Sequence, residues 1–187
     1  MIVSITFCLR HSGRVNNRKK IFFKPGLNVV IGPNGSGKSS LLSAVYECRD
    51  CRVSYDIKTD CRYFNSETMN PHRSGTRFRG IDGSLIKVRA LFSSHGETMR
   101  DVLRLTPIKP GDCFLLDEPE SGHDIEWVIR IRKGLDMLVN NGCQIIAASH
   151  HPVFWKDSNV IELKRGYHDR SLRKFQKSLK ISDVVPD

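Results

Sequence analysis

Residues 32–40 read GPNGSGKSS and directly follow LNVVI at 27–31, an apolar run typical of a buried strand. The pattern G-x-x-x-x-G-K-[ST] predicts a loop whose backbone N–H groups converge on phosphate oxygens. Lys38 is expected to reach the β- and γ-phosphates, and the Ser39 hydroxyl is expected to bind Mg²⁺. The residues expected to hold the phosphates are Gly32, Pro33, Asn34, Gly35, Ser36, Gly37, Lys38, Ser39 and Ser40.

The sequence after this loop alternates between helix and strand patterns. KSSLLSAVYE at 38–47 and DIEWVIRIRKGLDMLVNN at 124–141 have apolar residues at helical spacing. DCFLLDE at 112–118 and CQIIAASHH at 143–151 are typical of buried strands. Such alternation predicts an α/β fold with a mainly parallel central sheet and flanking helices.

The first thirty residues predict antiparallel strands. Residues 2–9 alternate apolar and polar side chains, as a half-buried strand does. Residues 19–31, KKIFFKPGLNVVI, predict a hairpin-like pair of strands with a turn at Pro25 and Gly26. We therefore expect N-terminal antiparallel strands in addition to the parallel sheet.

The strand at 112–118 ends in two acidic residues, Asp117 and Glu118. Ligand sites in α/β proteins form at the carboxyl ends of the strands. Asp117 is therefore expected to hold Mg²⁺ through water, because carboxylate oxygens are ligands that this ion prefers. Glu118 is expected to be catalytic and to polarise the water that attacks the γ-phosphate. The alternative is a polar strand end, where acids are common.

GPNGSGKSS, LLDEPE at 115–120 and SHHP at 149–152 together resemble the ABC-type ATPase domain. They are most similar to its soluble branch, which includes the SMC, Rad50, RecF and OLD-like ATPases, and to small SHGE…LLDEPE chains described as predicted AAA/ABC ATPases. The resemblance covers residues 1–163 and implies ATP and Mg²⁺ as cofactors. Only 56 residues separate Lys38 from Ser94, which departs from SMC and Rad50 proteins because it leaves no coiled-coil insertion. We therefore expect a minimal ATPase domain, followed by a basic C-terminal extension at 164–187.

SSHGE at 93–97 stands where the family has its LSGGQ signature. The resemblance implies that Ser94, His95, Gly96 and Glu97 contact the γ-phosphate bound to the opposite subunit of a dimer. Ser94 and Glu97 also fit a capping box that opens a helix, which is a purely structural alternative. The two interpretations are compatible, because a helix N-terminus attracts phosphate.

The family also implies roles for residues after the acidic strand. Asp124 occupies the place of the D-loop aspartate and is a further expected ATP contact. His150 is expected to be the catalytic switch histidine, with His151 as the alternative because the doublet leaves the register open. The Q-loop glutamine has no counterpart here. Asn65 or Glu67 is expected to replace it, and Glu67 is favoured as a metal ligand because a carboxylate binds Mg²⁺ better.

The net charge of +10 suggests a polyanionic partner, with DNA favoured, although a basic solvated surface is the alternative. Apolar residues recur at helical spacing within the C-terminal basic segment, which predicts an amphipathic basic helix. The basic residues of this segment are Lys164, Arg165, Arg170, Arg173, Lys174, Lys177 and Lys180.

The features combined favour a Mg²⁺-dependent ATPase in which two chains sandwich two ATP molecules. Such a homodimer would couple ATP turnover to nucleic acid or to a separate effector protein, as in DNA repair, DNA processing or anti-phage defence. Alternatives are a P-loop kinase with a small acceptor, an ATP-gated binding module with little turnover, and a transporter ATPase. We expect a cytoplasmic protein without a membrane partner, since no apolar run approaches about 20 residues.

The six cysteines are scattered along the chain, which disfavours a dense disulfide framework. Cys48, Cys51 and Cys61 raise the question of a zinc site, for which His72 is the nearby fourth candidate. Free thiols are the favoured interpretation, because the fourth ligand is not evident from the sequence.

Overall fold

A computed structural model describes residues 1–57, 61–65 and 109–180 of the chain. The strands are β1 (Ile2–Thr6), β2 (Lys20–Phe22), β3 (Leu27–Ile31), β4 (Arg52–Tyr55), β5 (Cys61–Asn65), β6 (Cys113–Asp117), β7 (Gln144–Ala148) and β8 (Asn159–Glu162). The helices are α1 (Leu9–Arg14), α2 (Lys38–Glu47), α3 (Ile125–Asn140), α4 (Pro152–Trp155) and α5 (Tyr167–Lys180).

Five strands form a parallel sheet in the order β5-β6-β7-β3-β8. Every residue of the three central strands is buried, as expected where helices cover both faces of a parallel sheet. The α/β class with a mainly parallel sheet is confirmed. The strand order brings the carboxyl ends of β3, β6 and β7 to one edge, next to the start of α2.

The N-terminal strands form a separate antiparallel sheet in the order β2-β1-β4. The predicted N-terminal antiparallel strands are thus confirmed, but the predicted pairing of β2 with β3 is wrong. Gly26 adopts a left-handed backbone with φ of +82°, and the chain there passes from one sheet to the other. The buried Asn28 side chain accepts from Lys24 N at 2.8 Å and donates to Lys24 O at 2.7 Å, which holds this turn.

The core lies on both faces of the parallel sheet. On one face, α3 buries Val128, Ile131 and Leu135 against alternate residues of the central strands. On the other face, α2 buries Leu41 and Leu42 against the remaining residues of the same strands. Because side chains alternate across a strand, each central strand contributes to both layers. The acidic end of β6 and the start of α2 are therefore held by two packed layers.

The predicted basic C-terminal helix is present as α5. Its first turns pack on the core through Tyr167 and Leu172, whereas Phe175 and Leu179 are exposed further along. The division between a domain at 1–163 and an extension at 164–187 stays a prediction. Within the described ranges, no helix is long and apolar enough to cross a membrane.

Candidate nucleotide-binding site

The phosphate-binding loop connects β3 to α2, as the sequence pattern predicts. Gly37 precedes the helix with φ of +92°, a conformation that favours glycine. A Cβ atom at Gly37 would lie 2.0 Å from the carbonyl oxygen of Arg14, so the end of α1 is packed directly against the loop. Helix α2 begins at Lys38, and its N-terminal amides face the place where the pattern predicts phosphate.

Lys38 is buried at the start of α2, with 5% of its surface exposed. Its Nζ donates to the carbonyl oxygens of Gly32 at 3.2 Å and Pro33 at 3.4 Å. Burial lowers the pKa of Lys38, and the negative charge of Glu118 is the largest influence that opposes this shift. An ammonium group with little water around it attracts phosphate more strongly than an exposed one does.

The Ser39 hydroxyl donates to Asp117 Oδ1 at 3.1 Å, although 78 residues separate the two in sequence. Asp117 is 3% exposed, and burial raises its pKa more than the hydrogen bonds from Ser39 and Tyr63 lower it. The two predicted magnesium ligands therefore lie side by side at the sheet edge. A hydroxyl oxygen and a carboxylate form a donor set that suits Mg²⁺.

Two residues of β5 also bind the Asp117 carboxylate. The Tyr63 hydroxyl and Asn65 Nδ2 each donate to Oδ2 at 3.2 Å. Burial raises the pKa of Tyr63 to about 12, so its hydroxyl stays protonated and remains a donor. The sequence pattern does not predict a role for Tyr63. Asn65 is the alternative to Glu67 as the replacement of the Q-loop glutamine, and Glu67 lies outside the described residues.

Glu118 and His150 lie close together at the ends of β6 and β7. His150 Nε2 is 3.7 Å from Glu118 Oε1, which is too long for a direct hydrogen bond. Burial, together with the Lys38 ammonium, lowers the pKa of His150, so the ring is neutral at pH 7. Glu118 has φ of +50°, and such uncommon backbone conformations concentrate at functional sites.

Glu120 links the two loops that carry these side chains. Its Oε1 accepts from Ser149 Oγ at 2.9 Å and from the backbone N–H of His150 at 2.6 Å. Burial raises the pKa of Glu120. The sequence does not predict a role for Glu120, because its contacts join two segments whose relative position only the fold determines. Its position indicates that it orients the loop that carries His150.

The two histidines of the doublet have different surroundings. His150 lines the cleft in front of the phosphate-binding loop. His151 instead caps α4, since its Nδ1 accepts from Val153 N at 3.3 Å and its ring meets the edge of Phe154. These contacts favour His150 over His151 as the residue that faces a nucleotide.

The open cleft has a volume of about 910 Å³, ample for a nucleotide. Residues of α1, the phosphate-binding loop, α2 and the ends of β6 and β7 line it: Gly13, Arg14, Asn34, Gly35, Gly37, Lys38, Ser39, Ser40, Glu118 and His150. Arg14 lines the cleft and is therefore a candidate for contact with the base, whereas His11 is buried and does not line it.

The remaining predicted contacts divide into two groups. Asp124 is exposed and caps α3, where its carboxylate accepts from Trp127 N at 2.8 Å. This cap gives Asp124 a structural role, and its predicted contact with ATP stays a prediction. The signature segment at 93–97 lies outside the described residues. Its four predicted ATP contacts, Ser94 to Glu97, therefore stay predictions.

Comparison with known proteins adds a family match to this geometry. Residues 9–46 match a family model described as an AAA domain. Elongation factor 3 of Zygosaccharomyces rouxii is 27% identical over 187 aligned residues, which cover 87% of this chain. The DNA replication and repair protein RecF of Psychromonas ingrahamii is 46% identical over 44 residues, or 24% of this chain. A solved ABC transporter ATP-binding protein from Pyrococcus furiosus has a TM-score of 0.49 and 16% identity, covering 78% of this chain and 88% of its own.

The chain spans 17% of the length of the elongation factor and 12% of RecF. The matched family segment contains α1, the phosphate-binding loop and α2, which together supply most residues of the cleft. In the same cleft, Ser39 meets the Asp117 carboxylate and Glu118 lies beside His150. The chain therefore contains a P-loop nucleotide-binding site, and the segment that forms its phosphate-binding loop is similar to AAA and ABC ATPases.

Proposed function

We propose that this chain hydrolyses ATP with Mg²⁺ and does so as an ATP-sandwiched homodimer. The observation that carries the proposal is the hydrogen bond of 3.1 Å between Ser39 and Asp117, at the mouth of a loop that also holds the buried Lys38. A kinase also uses such a pair. Glu118 next to His150 favours hydrolysis, because a carboxylate at that place can activate water.

Each side chain has a definite task in this proposal. Ser39 and Asp117 hold the metal, which when bound would neutralise charge on the β- and γ-phosphates. Lys38 binds the same phosphates as a desolvated cation. Glu118 orients and polarises the attacking water. The neutral His150 contacts the γ-phosphate through Nε2, a buried atom without a hydrogen-bond partner in the described part of the chain.

The direct test is phosphate release from ATP by the purified chain in the absence of any acceptor. We expect Mg²⁺-dependent release of inorganic phosphate, and the ADP formed should match it in amount. ADP formation that requires an added acceptor would favour the kinase instead. ATP binding without phosphate release would favour the ATP-gated binding module.

The homodimer is proposed because, among the described residues, the cleft in front of the phosphate-binding loop is open to solvent. An ATP γ-phosphate bound by Lys38 would leave part of its surface uncovered by the described residues. The family resemblance assigns that side to SSHGE at 93–97 of a second copy. Backbone amides at a helix N-terminus would then complete the phosphate site.

Ser94→Arg is expected to block ATP-dependent dimerisation while it leaves ATP binding by the monomer intact. The bulky cation would occupy the space in which the signature approaches the partner's γ-phosphate. Light scattering with ATP measures dimerisation, and titration with a fluorescent ATP analogue measures binding. Ser94→Ala is the matched control, because it removes the hydroxyl without adding bulk. A stable ATP-dependent dimer of Ser94→Arg would contradict the shared site.

We propose DNA as the partner of this dimer, and α5 as the element that contacts it. Arg170, Arg173, Lys174 and Lys177 are all exposed on this one helix. The net charge of +10 and the similarity to RecF, a DNA replication and repair protein, support the same partner. A separate effector protein is the alternative partner, and the binding experiment that follows distinguishes the two.

Reversal of three charges on α5, at Arg170, Arg173 and Lys174, should weaken DNA binding by roughly tenfold or more. Loss of three phosphate contacts should also make the slope of log affinity against log salt shallower by about 2–3. Fluorescence anisotropy with a labelled duplex at several salt concentrations measures both effects. Equal charge reversal of the exposed Lys24, Lys133 and Lys156 is the control. Unchanged affinity and slope in the α5 variant would contradict the proposed role of this helix.

A further inference from the structure

Two short segments on either side of the phosphate-binding loop come together behind it. Cys8 caps the start of α1 and His11 lies within α1, whereas Cys48 ends α2 and Cys51 precedes β4. One ligand atom from each of these residues lies within 4.8 Å of all the others. Each segment has the spacing of two intervening residues that is typical of zinc ligands.

The separations fit the edges of a tetrahedron. Cys51 Sγ lies 3.7 Å from Cys8 Sγ, and His11 Nδ1 lies 3.3 Å from Cys8 Sγ and 3.6 Å from Cys51 Sγ. Tetrahedral Zn²⁺ with bonds of about 2.3 Å to sulfur and about 2.0 Å to nitrogen requires edges of roughly 3.8 Å and 3.6 Å. The donors of Cys8, His11 and Cys51 thus have the spacing of three ligands of one ion, and Cys48 Sγ lies within 4.8 Å of each of them.

We propose that Cys8, His11, Cys48 and Cys51 bind one structural Zn²⁺ ion. Binding would convert the three thiols to thiolates and release their protons, while the imidazole would bind through Nδ1 in its neutral form. No oxidant or reductant takes part. His11 is 8% and Cys51 7% exposed, and Cys8 and Cys48 are half-buried, so the ion would be shielded from water on one side. A closed set of four protein ligands is typical of a structural site and not of a catalytic one.

The donor set discriminates between metals. Mg²⁺ and Ca²⁺ prefer oxygen ligands, which this cluster does not provide. Three thiolates and one imidazole in tetrahedral arrangement are typical of zinc. The main alternative is a disulfide between Cys8 and Cys51. It would require the two sulfur atoms to approach from 3.7 Å to about 2 Å. That alternative gives no role to Cys48 or His11.

This set differs from the one that the sequence suggested. Cys48 and Cys51 belong to both, but Cys61 is opposite Cys113 in the pairing of β5 with β6. Cys8 and His11 take the places of Cys61 and of His72, which lies outside the described residues. Both precede the phosphate-binding loop by more than twenty residues. Only the fold brings them to Cys48 and Cys51.

The site would connect metal binding to the nucleotide cleft. Helix α1 has only six residues: His11 lies in its middle, and Gly13 and Arg14 at its C-terminal end line the cleft. The carbonyl of Arg14 also packs against Gly37 of the phosphate-binding loop. Zn²⁺ would therefore fix α1 to the end of α2 and hold the cleft wall in place.

Zinc content of the full chain, reconstituted with Zn²⁺ alone under reducing conditions and then desalted, tests the proposal. We expect about one zinc ion per chain in the unmodified protein and in Cys61→Ser. Cys51→Ser should lose the zinc, because three ligands remain. Cys61→Ser is the matched control, since it removes a half-buried thiol outside the cluster. The assignment would be overturned if Cys61→Ser lost its zinc, or if the unmodified protein bound no zinc.

A measurement on the unmodified chain covers the case in which Cys51→Ser does not fold. Co²⁺ added in place of Zn²⁺ should give the intense visible bands of a tetrahedral thiolate complex, and Zn²⁺ should abolish them. Zinc at about 100 times its dissociation constant should also raise the thermal midpoint by roughly 5–10 °C. Weak octahedral cobalt bands, or a loss of two thiols that a reductant restores, as expected for a Cys8–Cys51 disulfide, would contradict the zinc site.

Discussion

Lys38→Ala is expected to weaken ATP binding by about 100-fold or more, which is roughly 3 kcal/mol. The wild-type ammonium is buried, so the phosphates lose a desolvated cation that water replaces poorly. Loss of the bonds from Nζ to the Gly32 and Pro33 carbonyls also removes a constraint on the loop. Titration with a fluorescent ATP analogue, or calorimetry, measures the dissociation constant directly.

The matched control is Lys133→Ala, which removes an exposed lysine from α3, a helix that does not carry the phosphate-binding loop. We expect its ATP affinity to equal that of the wild-type chain. A thermal melt of both variants should show that the fold is retained. Tight ATP binding by Lys38→Ala would be incompatible with a phosphate site in this loop.

Glu118→Gln is expected to reduce ATP hydrolysis by about 10²–10⁴-fold while ATP binding is retained. The amide has the shape of the carboxylate but cannot accept a proton from the attacking water. Glutamine, like glutamate, is unbranched at Cβ, so the substitution should not change the energy of the uncommon backbone φ of +50°. Single-turnover phosphate release at saturating ATP separates this loss of chemistry from any change in affinity.

Glu126→Gln is the control for this substitution, because it neutralises an exposed carboxylate in the first turn of α3. Its hydrolysis rate should match that of the wild-type chain. Wild-type turnover by Glu118→Gln would show that another group activates the water. Glu120 would then be the first residue to examine, since it already contacts the loop that carries His150.

The features predictable from the sequence are those in which one local pattern determines the outcome. The spacing of glycines, lysine and serine predicts the loop, and the apolar run before Asp117 predicts a buried strand that ends in acids. The pairing of β2 with β3 could not be predicted in the same way. Both the hairpin and the observed arrangement satisfy a turn at Gly26, and burial of β3 on both faces decides between them.

The parts of the site that the sequence did not reveal depend on contacts between distant segments. Tyr63 reaches Asp117 because β5 and β6 pair in parallel with Asn65 opposite Asp117. Glu120 finds its partners only when β6 and β7 are neighbours. His11 lies three residues before Arg14 in α1, but its Nδ1 contacts Cys8 Sγ and does not line the cleft. Residue type and spacing identify candidates, and strand order selects among them.

The proposed dimer is the central claim, and the mass of Glu118→Gln in solution tests it most directly. With slow hydrolysis, ATP should hold the two chains together, so light scattering should give about twice the 21.3 kDa chain mass. With ADP, or in the double variant that also carries Ser94→Arg, the mass should be that of one chain. A single-chain mass for ATP-saturated Glu118→Gln would contradict the shared site.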